Sequence, residues 1–289
     1  MNDLKTIRIF LTTIFLVASL AWLFIGPEVN PMAVISVKTQ IIPSALTVTI
    51  GATAFWLVAT FVFGRLYCSS VCPVGTLQDA AIWLRRFVKT RDGKRRTLLG
   101  FKISPLGYRH RSKRGWTIFV LYVASLIVGI LRLEWLLQPW TLLQSAAGLV
   151  RPGAVADTWG TQTVWGLLGS GVITGCVVSA IFLAVLLFMA LLDGRWFCNE
   201  ICPIGTGLGF VGEYSLYHIE IDPDRCTNCM KCEEVCPSHC VKVVSRYVDD
   251  ARCVRCFNCL KVCPDAAIRY QINRNRRQTP LMQRRKQLQ

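Results

Sequence analysis

Eight of the fourteen cysteines fall into two copies of one spacing near the end of the chain. Each copy has three cysteines at intervals of three residues, a fourth cysteine four residues later, and a proline directly after it. Three thiolates on a tight loop can ligate one face of a cubane cluster, while the fourth cysteine ligates the neighbouring cluster. The spacing therefore predicts two 4Fe-4S clusters, the first held by Cys226, Cys229, Cys232 and Cys263 and the second by Cys253, Cys256, Cys259 and Cys236.

Zinc sites and disulfides are the other common uses of clustered cysteines. A structural zinc site needs two C-x2-C pairs and no fixed proline. Disulfides are rare in a reducing cytoplasm, which is where the charge distribution described below places these motifs. Cys240 follows Cys236 by four residues and belongs to neither set, so we interpret it as a spare thiol in a short helix rather than as a ligand.

Four more cysteines lie in an internal repeat. Residues 64–76 read "GRLYCSSVCPVGT" and residues 194–206 read "GRWFCNEICPIGT", which align without gaps. Cysteines four residues apart share one face of a helical turn, and a repeated motif indicates a repeated structural unit. Pseudo-symmetry can therefore bring the four thiols together as a further metal centre or as a dithiol–disulfide couple. The four are Cys68, Cys72, Cys198 and Cys202.

The composition indicates a membrane protein with basic soluble parts. Of 289 residues, 53% are hydrophobic and only 17% are charged, and yet the net charge is +16. A hydrophobic run of about 20 residues can cross a bilayer as a helix. We expect four transmembrane helices at about residues 9–26, 43–63, 116–137 and 171–192, and we interpret the first as a retained anchor rather than a cleaved signal peptide.

The basic residues predict the orientation of these helices. Thirty of the 33 Lys and Arg residues lie in the N-terminal tail, in the loop 64–115 or after Leu192. Because positive residues stay on the cytoplasmic side, we expect both termini, the basic loop and the clusters to face the cytoplasm. The protein would then be a multi-pass protein of the inner membrane. Topology and anionic lipid account for the basic stretches, so we predict no nucleic-acid partner.

Three regions follow from these patterns. Residues 1–213 are predicted to form an all-α membrane domain of four helices that carries both C-x3-C-P repeats. Residues 214–272 are predicted to form a small α+β domain like a bacterial ferredoxin, with "HIEID" and "AIRYQI" as its edge strands. Residues 273–289 form a polar, basic tail.

The four spans, the paired C-x3-C-P repeats at the cytoplasmic ends of the second and fourth spans, and the two ferredoxin motifs together resemble the NapH family. These are membrane-bound ferredoxin-type subunits of periplasmic nitrate reductase systems. The resemblance implies a quinol dehydrogenase component that passes electrons from membrane quinol through iron–sulfur centres toward a periplasmic nitrate reductase. The implied partner is a periplasmic iron–sulfur subunit of the NapG type, and the electrons would reach the reductase either directly or through a tetrahaem cytochrome of the NapC type.

Two questions stay open at the level of sequence. The same membrane core occurs in NosR-type proteins and in assembly proteins for copper oxidases, so the alternative is an electron-donating assembly or maturation factor for a membrane or periplasmic metalloenzyme. The sequence contains few residues that indicate where quinol binds. Glu134, near the outer end of the third predicted helix, is a candidate acceptor for a quinol proton, and its alternatives are an ion pair with Arg132 or snorkelling at the interface.

Overall fold

The computed structural model describes residues 2–25, 50–84, 97–98, 101–102, 106–110, 112–128, 137–148, 150 and 172–272. The helices are α1 (Asn2–Ile25), α2 (Ile50–Phe63), α3 (Tyr67–Ser70), α4 (Pro73–Leu84), α5 (Arg114–Val128), α6 (Pro139–Ala147), α7 (Val172–Asp193), α8 (Trp196–Glu200), α9 (Pro203–Gly212), α10 (Lys231–Glu234) and α11 (Asn258–Val262). The strands are β1 (Thr97–Leu98), β2 (Phe101–Lys102), β3 (Tyr217–Ile221), β4 (Val241–Lys242), β5 (Tyr247–Val248) and β6 (Ile268–Ile272).

Apolar helices occupy the four segments in which spans were predicted. Among the described residues, α1 and α7 are long and apolar enough to cross a membrane, over Leu4–Ala21 and Cys176–Asp193. Helix α2 is equally apolar but has 14 residues. Residues 43–49 and 129–136, with Glu134, lie outside the described residues. Large apolar side chains project outward from these helices, which suits a lipid environment; they include Phe10, Val17, Phe55, Leu121 and Ile181.

The structure differs from two of the predictions. Helix α1 begins at Asn2 instead of about residue 9, because the polar start of the segment has partners: the guanidinium of Arg8 is buried and hydrogen-bonded. The segment 64–115 is not simply a loop, since it contains α3, α4, β1 and β2. Pro73 is the first residue of α4, where its missing N–H costs nothing, and the apolar residues after it pack against α7.

The internal repeat is visible as two copies of one three-helix unit. The first copy is α2, α3 and α4, and the second is α7, α8 and α9. Helix α4 of the first copy packs against α7 of the second, and α9 packs against α2. Each unit therefore places its last helix on the long helix of the other.

The ferredoxin-like domain closes with its two edge strands side by side. Strands β3 and β6 are antiparallel, with Tyr217 opposite Ile272 and Ile221 opposite Ile268, so the predicted strands pair with each other. The backbone takes the left-handed conformation at equivalent places in both cysteine motifs. Hydrogen bonds dock the domain beneath α2: the Tyr270 hydroxyl donates to the Phe63 carbonyl over 2.8 Å, and the Leu216 N–H donates to the Phe61 carbonyl over 2.8 Å.

Candidate iron–sulfur sites

One cavity of the ferredoxin-like domain, here called the outer site, is surrounded by the first predicted ligand set. Ile221, Val243 and Ile268 form its apolar wall. The Cys229 thiol is exposed, whereas the Cys232 thiol is buried. Three cysteines of the first motif and the last cysteine of the second thus face one cavity, as the spacing predicts: Cys226, Cys229, Cys232 and Cys263.

A second cavity, here called the inner site, is surrounded by the complementary set. Its wall includes Ile219, Val248 and Phe257. Unlike the outer site, all of its cysteines are buried. They are Cys236, Cys253, Cys256 and Cys259, and Cys240 lines the same cavity.

Cys240 is in contact with two of the predicted ligands, which sequence reasoning missed. Its Sγ lies 3.4 Å from the Cys236 Sγ, and it is also hydrogen-bonded to Cys253. Hydrogen bonding with Cys240 lowers the pKa of Cys253 to about 6, and hydrogen bonding with Cys240 also lowers the pKa of Cys236. The thiol of Cys240 therefore stabilises neighbouring thiolates, and the interpretation of a spare thiol needs this correction.

The geometry of both sites fits a cluster better than a single metal ion. Zinc would need its ligands to converge on one point at about 2.3 Å from sulfur. In the part of the chain that the structure describes, no three His, Cys, Asp or Glu side chains converge in that way. The sulfurs instead line the walls of two separate cavities. Thiolates arranged around a cavity are what a cubane cluster requires.

The four C-x3-C-P thiols form a third group, here called the membrane thiol cluster. Cys68, Cys72, Cys198 and Cys202 belong to one apolar cluster at the ends of α2 and α7, and each is 4–6% exposed. All four are free thiols. Burial raises the pKa of Cys198 to about 11, and burial and neighbouring thiols raise the pKa of Cys202 well above its usual range. The predicted meeting of the two repeats therefore occurs in the structure.

The two repeats are held together by two arginines, each of which donates a hydrogen bond to a backbone carbonyl of the other repeat. Arg65 of the first repeat donates from Nη2 to the carbonyl of Cys198 over 3.2 Å, and Arg195 of the second donates from Nη1 to the carbonyl of Cys68 over 2.8 Å. The two arginines are 1% and 0% exposed. Gly75 and Gly205 let the chain approach closely, because a Cβ at either would collide with those same carbonyls.

Asp79 connects Arg195 of the second repeat to the inner site through Arg8. Its carboxylate lies 2.8 Å from Nη2 of Arg195 and 2.7 Å from Nη2 of Arg8. Arg8 also donates from Nη1 to the Cys256 carbonyl over 2.9 Å. Sequence reasoning missed Arg8 and Asp79, since neither lies inside a motif.

The three groups of cysteines follow one another toward the membrane helices. The outer site reaches solvent through Cys229, and the inner site is buried behind it. Val254 and Cys256 of the inner site belong to the same apolar cluster as the membrane thiol cluster. The tertiary structure thus places twelve cysteines in three neighbouring groups, from the protein surface to the ends of α2 and α7.

Comparison with known proteins also indicates 4Fe-4S binding. A family model described as a 4Fe-4S binding domain matches residues 45–91 and 174–215, which contain the two repeats, and a second model of that description matches residues 218–241. "Ferredoxin-type protein NapH" of Haemophilus influenzae is 31% identical over 203 residues, which is 70% of this chain and 57% of that protein. The chain is therefore similar to ferredoxin-type proteins named NapH, and also to proteins named MauN.

Other relatives have similar sequence identities to this chain. "Methylamine utilization ferredoxin-type protein MauN" of Paracoccus denitrificans is 29% identical over 68% of this chain and 56% of that protein. "Ferredoxin-type protein NapH" of Escherichia coli is 27% identical over 73% of this chain and 61% of that protein. The chain therefore spans less than two thirds of the length of these relatives. No solved structure matches it.

Proposed function

We propose that the protein is a membrane electron-transfer subunit that oxidises quinol and passes electrons through iron–sulfur centres toward a periplasmic nitrate reductase. In this proposal four helices span the inner membrane, and both ferredoxin sites lie on the cytoplasmic side. The single observation that carries the proposal is the order of the cysteine groups. The membrane thiol cluster and the inner site share one apolar cluster through Cys256, and the outer site lies beyond them.

The residues of the ferredoxin-like domain would hold and tune two 4Fe-4S clusters. Cys226, Cys229, Cys232 and Cys263 would hold one cluster, and Cys253, Cys256, Cys259 and Cys236 the other. Bound clusters would supply one-electron transfer at a potential set by charge, hydrogen bonds and exposure. At the outer site the N–H of Ala267 donates to the Cys263 Sγ over 3.3 Å. Such donors stabilise the negative charge of a ligating sulfur.

Positive charge lies close to the inner site. Arg255 is fully buried, and its Nη1 is 2.7 Å from Asp250. Arg255 is also one of the charges that favour the Cys253 thiolate. The Arg255 guanidinium would favour the addition of an electron to an anionic cluster at the inner site, and Asp250 opposes that effect.

The reaction removes two electrons and two protons from quinol and leaves quinone. The electrons would leave one at a time. They would reach the final acceptor with a periplasmic iron–sulfur subunit of the NapG type, either directly or through a tetrahaem cytochrome of the NapC type. Glu134 stays the proposed acceptor of a quinol proton. These partners and the substrate rest on the NapH relatives.

The test is quinol-dependent reduction of the purified full-length protein. A water-soluble menaquinol analogue is added anaerobically in detergent, and EPR signals of reduced clusters are followed against a Glu134→Gln variant. We expect cluster signals in the wild type and slower reduction in the variant. Clusters that dithionite reduces but quinol does not would overturn quinol oxidation.

An assembly or maturation factor is the second candidate. The MauN relatives keep the final electron acceptor open, because they are as similar to this chain as the NapH relatives are while their name refers to methylamine utilization. In an assembly or maturation factor the clusters would donate electrons to a metalloenzyme under construction. Deletion of the gene would then lower the cofactor content of the target enzyme itself, whereas loss of a quinol dehydrogenase would leave a loaded enzyme that lacks only its electron supply.

A further inference from the structure

We propose that the inner cluster can take its fourth ligand from either of two cysteines, Cys236 or Cys240. This inference rests on the proposed function, which places a 4Fe-4S cluster at the inner site, and it assigns a ligand role to a thiol that belongs to neither motif. A cubane cluster takes four cysteine ligands, and five cysteines line the inner site. Three of them come from one loop, so two remain for the fourth place; the three are Cys253, Cys256 and Cys259.

The first argument is the position of the Cys240 sulfur. Its Sγ lies 3.4 Å from the Cys236 Sγ, and both side chains line the same cavity. Cys240 is also hydrogen-bonded to Cys253, a ligand from the other motif. Because the sulfurs of Cys236 and Cys240 are in contact, an iron that one of them holds is close to the other.

The second argument is that packing does not account for a thiol at this place. The equivalent position of the second motif is Ala267, and both Cys240 and Ala267 are 1% exposed. The backbone is also equivalent, since the preceding residues, His239 and Ala266, both have a left-handed conformation with φ of 52° and 48°. Alanine therefore fills this position at the outer site, and the sulfur of Cys240 is an addition that is specific to the inner site.

The third argument is that other elements hold the segment between the two cysteines. The Arg195 N–H donates to the Pro237 carbonyl over 2.8 Å. At the end of the segment, the Asp249 N–H donates to the Cys240 carbonyl over 2.8 Å. Neither bond involves an iron ligand of the first motif. We therefore expect the Cys240 thiol to stay in the cavity when the sulfur of Cys236 is removed, and a ligand that is already in place needs no rearrangement to bind.

Exchange of the two ligands needs no oxidant and no reductant. An S–Fe bond forms at Cys240 as its thiol gives up a proton, and the S–Fe bond of Cys236 breaks as that sulfur takes up a proton. The contact of 3.4 Å lets the proton pass directly from one sulfur to the other. In a variant that lacks Cys236, the proton of Cys240 is released to water, as at any thiol that binds a metal.

The test is iron and sulfide analysis with EPR on the full-length protein, purified anaerobically in detergent. Cys236→Ala should keep the iron content of the wild type, with a shifted EPR signal from the inner cluster because one ligand has changed. Cys240→Ala should also keep its iron. The double variant Cys236→Ala/Cys240→Ala should lose about four irons, the content of one cubane cluster. The EPR signal of the outer cluster shows that each variant is folded.

The outer site supplies the matched control. Cys263→Ala should lose the outer cluster, because the residue four positions later is Ala267 and carries no thiol. Addition of Ala267→Cys to that variant should restore the lost iron, since the two motifs have the same backbone at this place.

Cys236→Ser is the second variant, for use if Cys236→Ala does not fold. Serine keeps the shape of the side chain and offers only an oxygen. The inner cluster should be retained in Cys236→Ser and lost when Cys240→Ala is added, which distinguishes the Cys240 sulfur from the serine oxygen as the ligand.

Two results would overturn the inference. One is the loss of about four irons in Cys236→Ala while the outer signal is kept. The other is an inner cluster that survives in a variant lacking both Cys236 and Cys240, because its fourth ligand would then be another group. None of these measurements uses quinol. The inference can therefore fail while quinol still reduces both clusters, and it can hold while quinol reduces neither, so its failure is distinguishable from that of the proposed function.

Discussion

The Nη1 atom of Arg195 lies 2.8 Å from the carbonyl oxygen of Cys68, 127 positions earlier in the chain. Arg65 makes the equivalent bond to the carbonyl of Cys198. The arginine of each repeat therefore donates a hydrogen bond to the C-x3-C-P loop of the other repeat, so each loop depends on the other repeat for this contact.

The glycines of the two repeats should tolerate no side chain. In Gly75→Ala and Gly205→Ala the new Cβ would collide with a backbone carbonyl that cannot rotate away. Overpacking costs about 1–3 kcal/mol, and we expect the upper end of that range. Thermal unfolding in detergent measures it. Gly51→Ala in α2 is the control, because a Cβ there meets nothing within 4 Å, and an equal loss in this control would contradict the prediction.

Asp79→Asn should destabilise the fold by about 3 kcal/mol, because breaking a buried ion pair strands its partner charge. Here two buried guanidinium groups, those of Arg8 and Arg195, lose their carboxylate. Denaturant unfolding measures the change. Arg269→Gln is the control: Arg269 is exposed and lies 4.0 Å from Asp222, and an exposed pair contributes about 0–1 kcal/mol. Similar values for the two variants would refute the prediction.

Cys240→Ala should lower the midpoint potential of the inner cluster, because it removes the single S–H group of Cys240, which is within hydrogen-bond reach of the sulfurs of Cys236 and Cys253. Cys240→Ser keeps a donor and should restore most of the potential. An EPR redox titration measures both. The outer cluster is the internal control, since the equivalent position after Cys263 is Ala267. A shift of both clusters by the same amount would point to a general structural change instead.

The outer cluster should be destroyed by a water-soluble oxidant before the inner cluster. Cys229 is exposed, whereas the cysteines of the inner site are all buried. Anaerobic addition of ferricyanide, with EPR at intervals, follows the loss. Cys229→Ser and Cys259→Ser identify which signal belongs to which site. Simultaneous loss of both signals would argue against a difference in solvent access.

Acidification should weaken the contact between the ferredoxin-like domain and α7. Burial lowers the pKa of His239, although its bonds to the carbonyls of Asp193 and Gly107 raise it. His239 therefore binds a proton less readily in the folded protein than in the unfolded chain, which takes up a proton below about pH 6.5. Stability is complete above that pH and falls below it, by at most about 1.4 kcal/mol per pH unit.

Unfolding at pH 7.5, 6.5 and 5.5 tests this pH dependence. His239→Gln should show a smaller loss between pH 6.5 and 5.5 than the wild type. His110→Gln is the matched control, because His110 is exposed. An unchanged pH dependence in His239→Gln would exclude His239 as its source.

The sequence by itself determined the ferredoxin motifs, the repeat and the four apolar helices, because each is a local pattern of spacing or hydrophobicity. It also predicted the two sets of four cluster ligands, and in the structure each set lines one cavity. Alternating residues at the two ends of the domain predicted strands β3 and β6, and the structure adds that these two strands pair with each other.

Only the tertiary structure decided which residues surround those cysteines. Arg8, Gln78, Asp79 and Cys240 belong to no motif, and each acts through a partner distant in sequence or through the packing of another element. Hydrophobic periodicity records which face of a helix is buried, but not which charge or thiol it meets. The exchange of Arg65 and Arg195 between the repeats depends on how α4 and α9 cross to the opposite long helices, and such long-range packing leaves no local pattern in the chain.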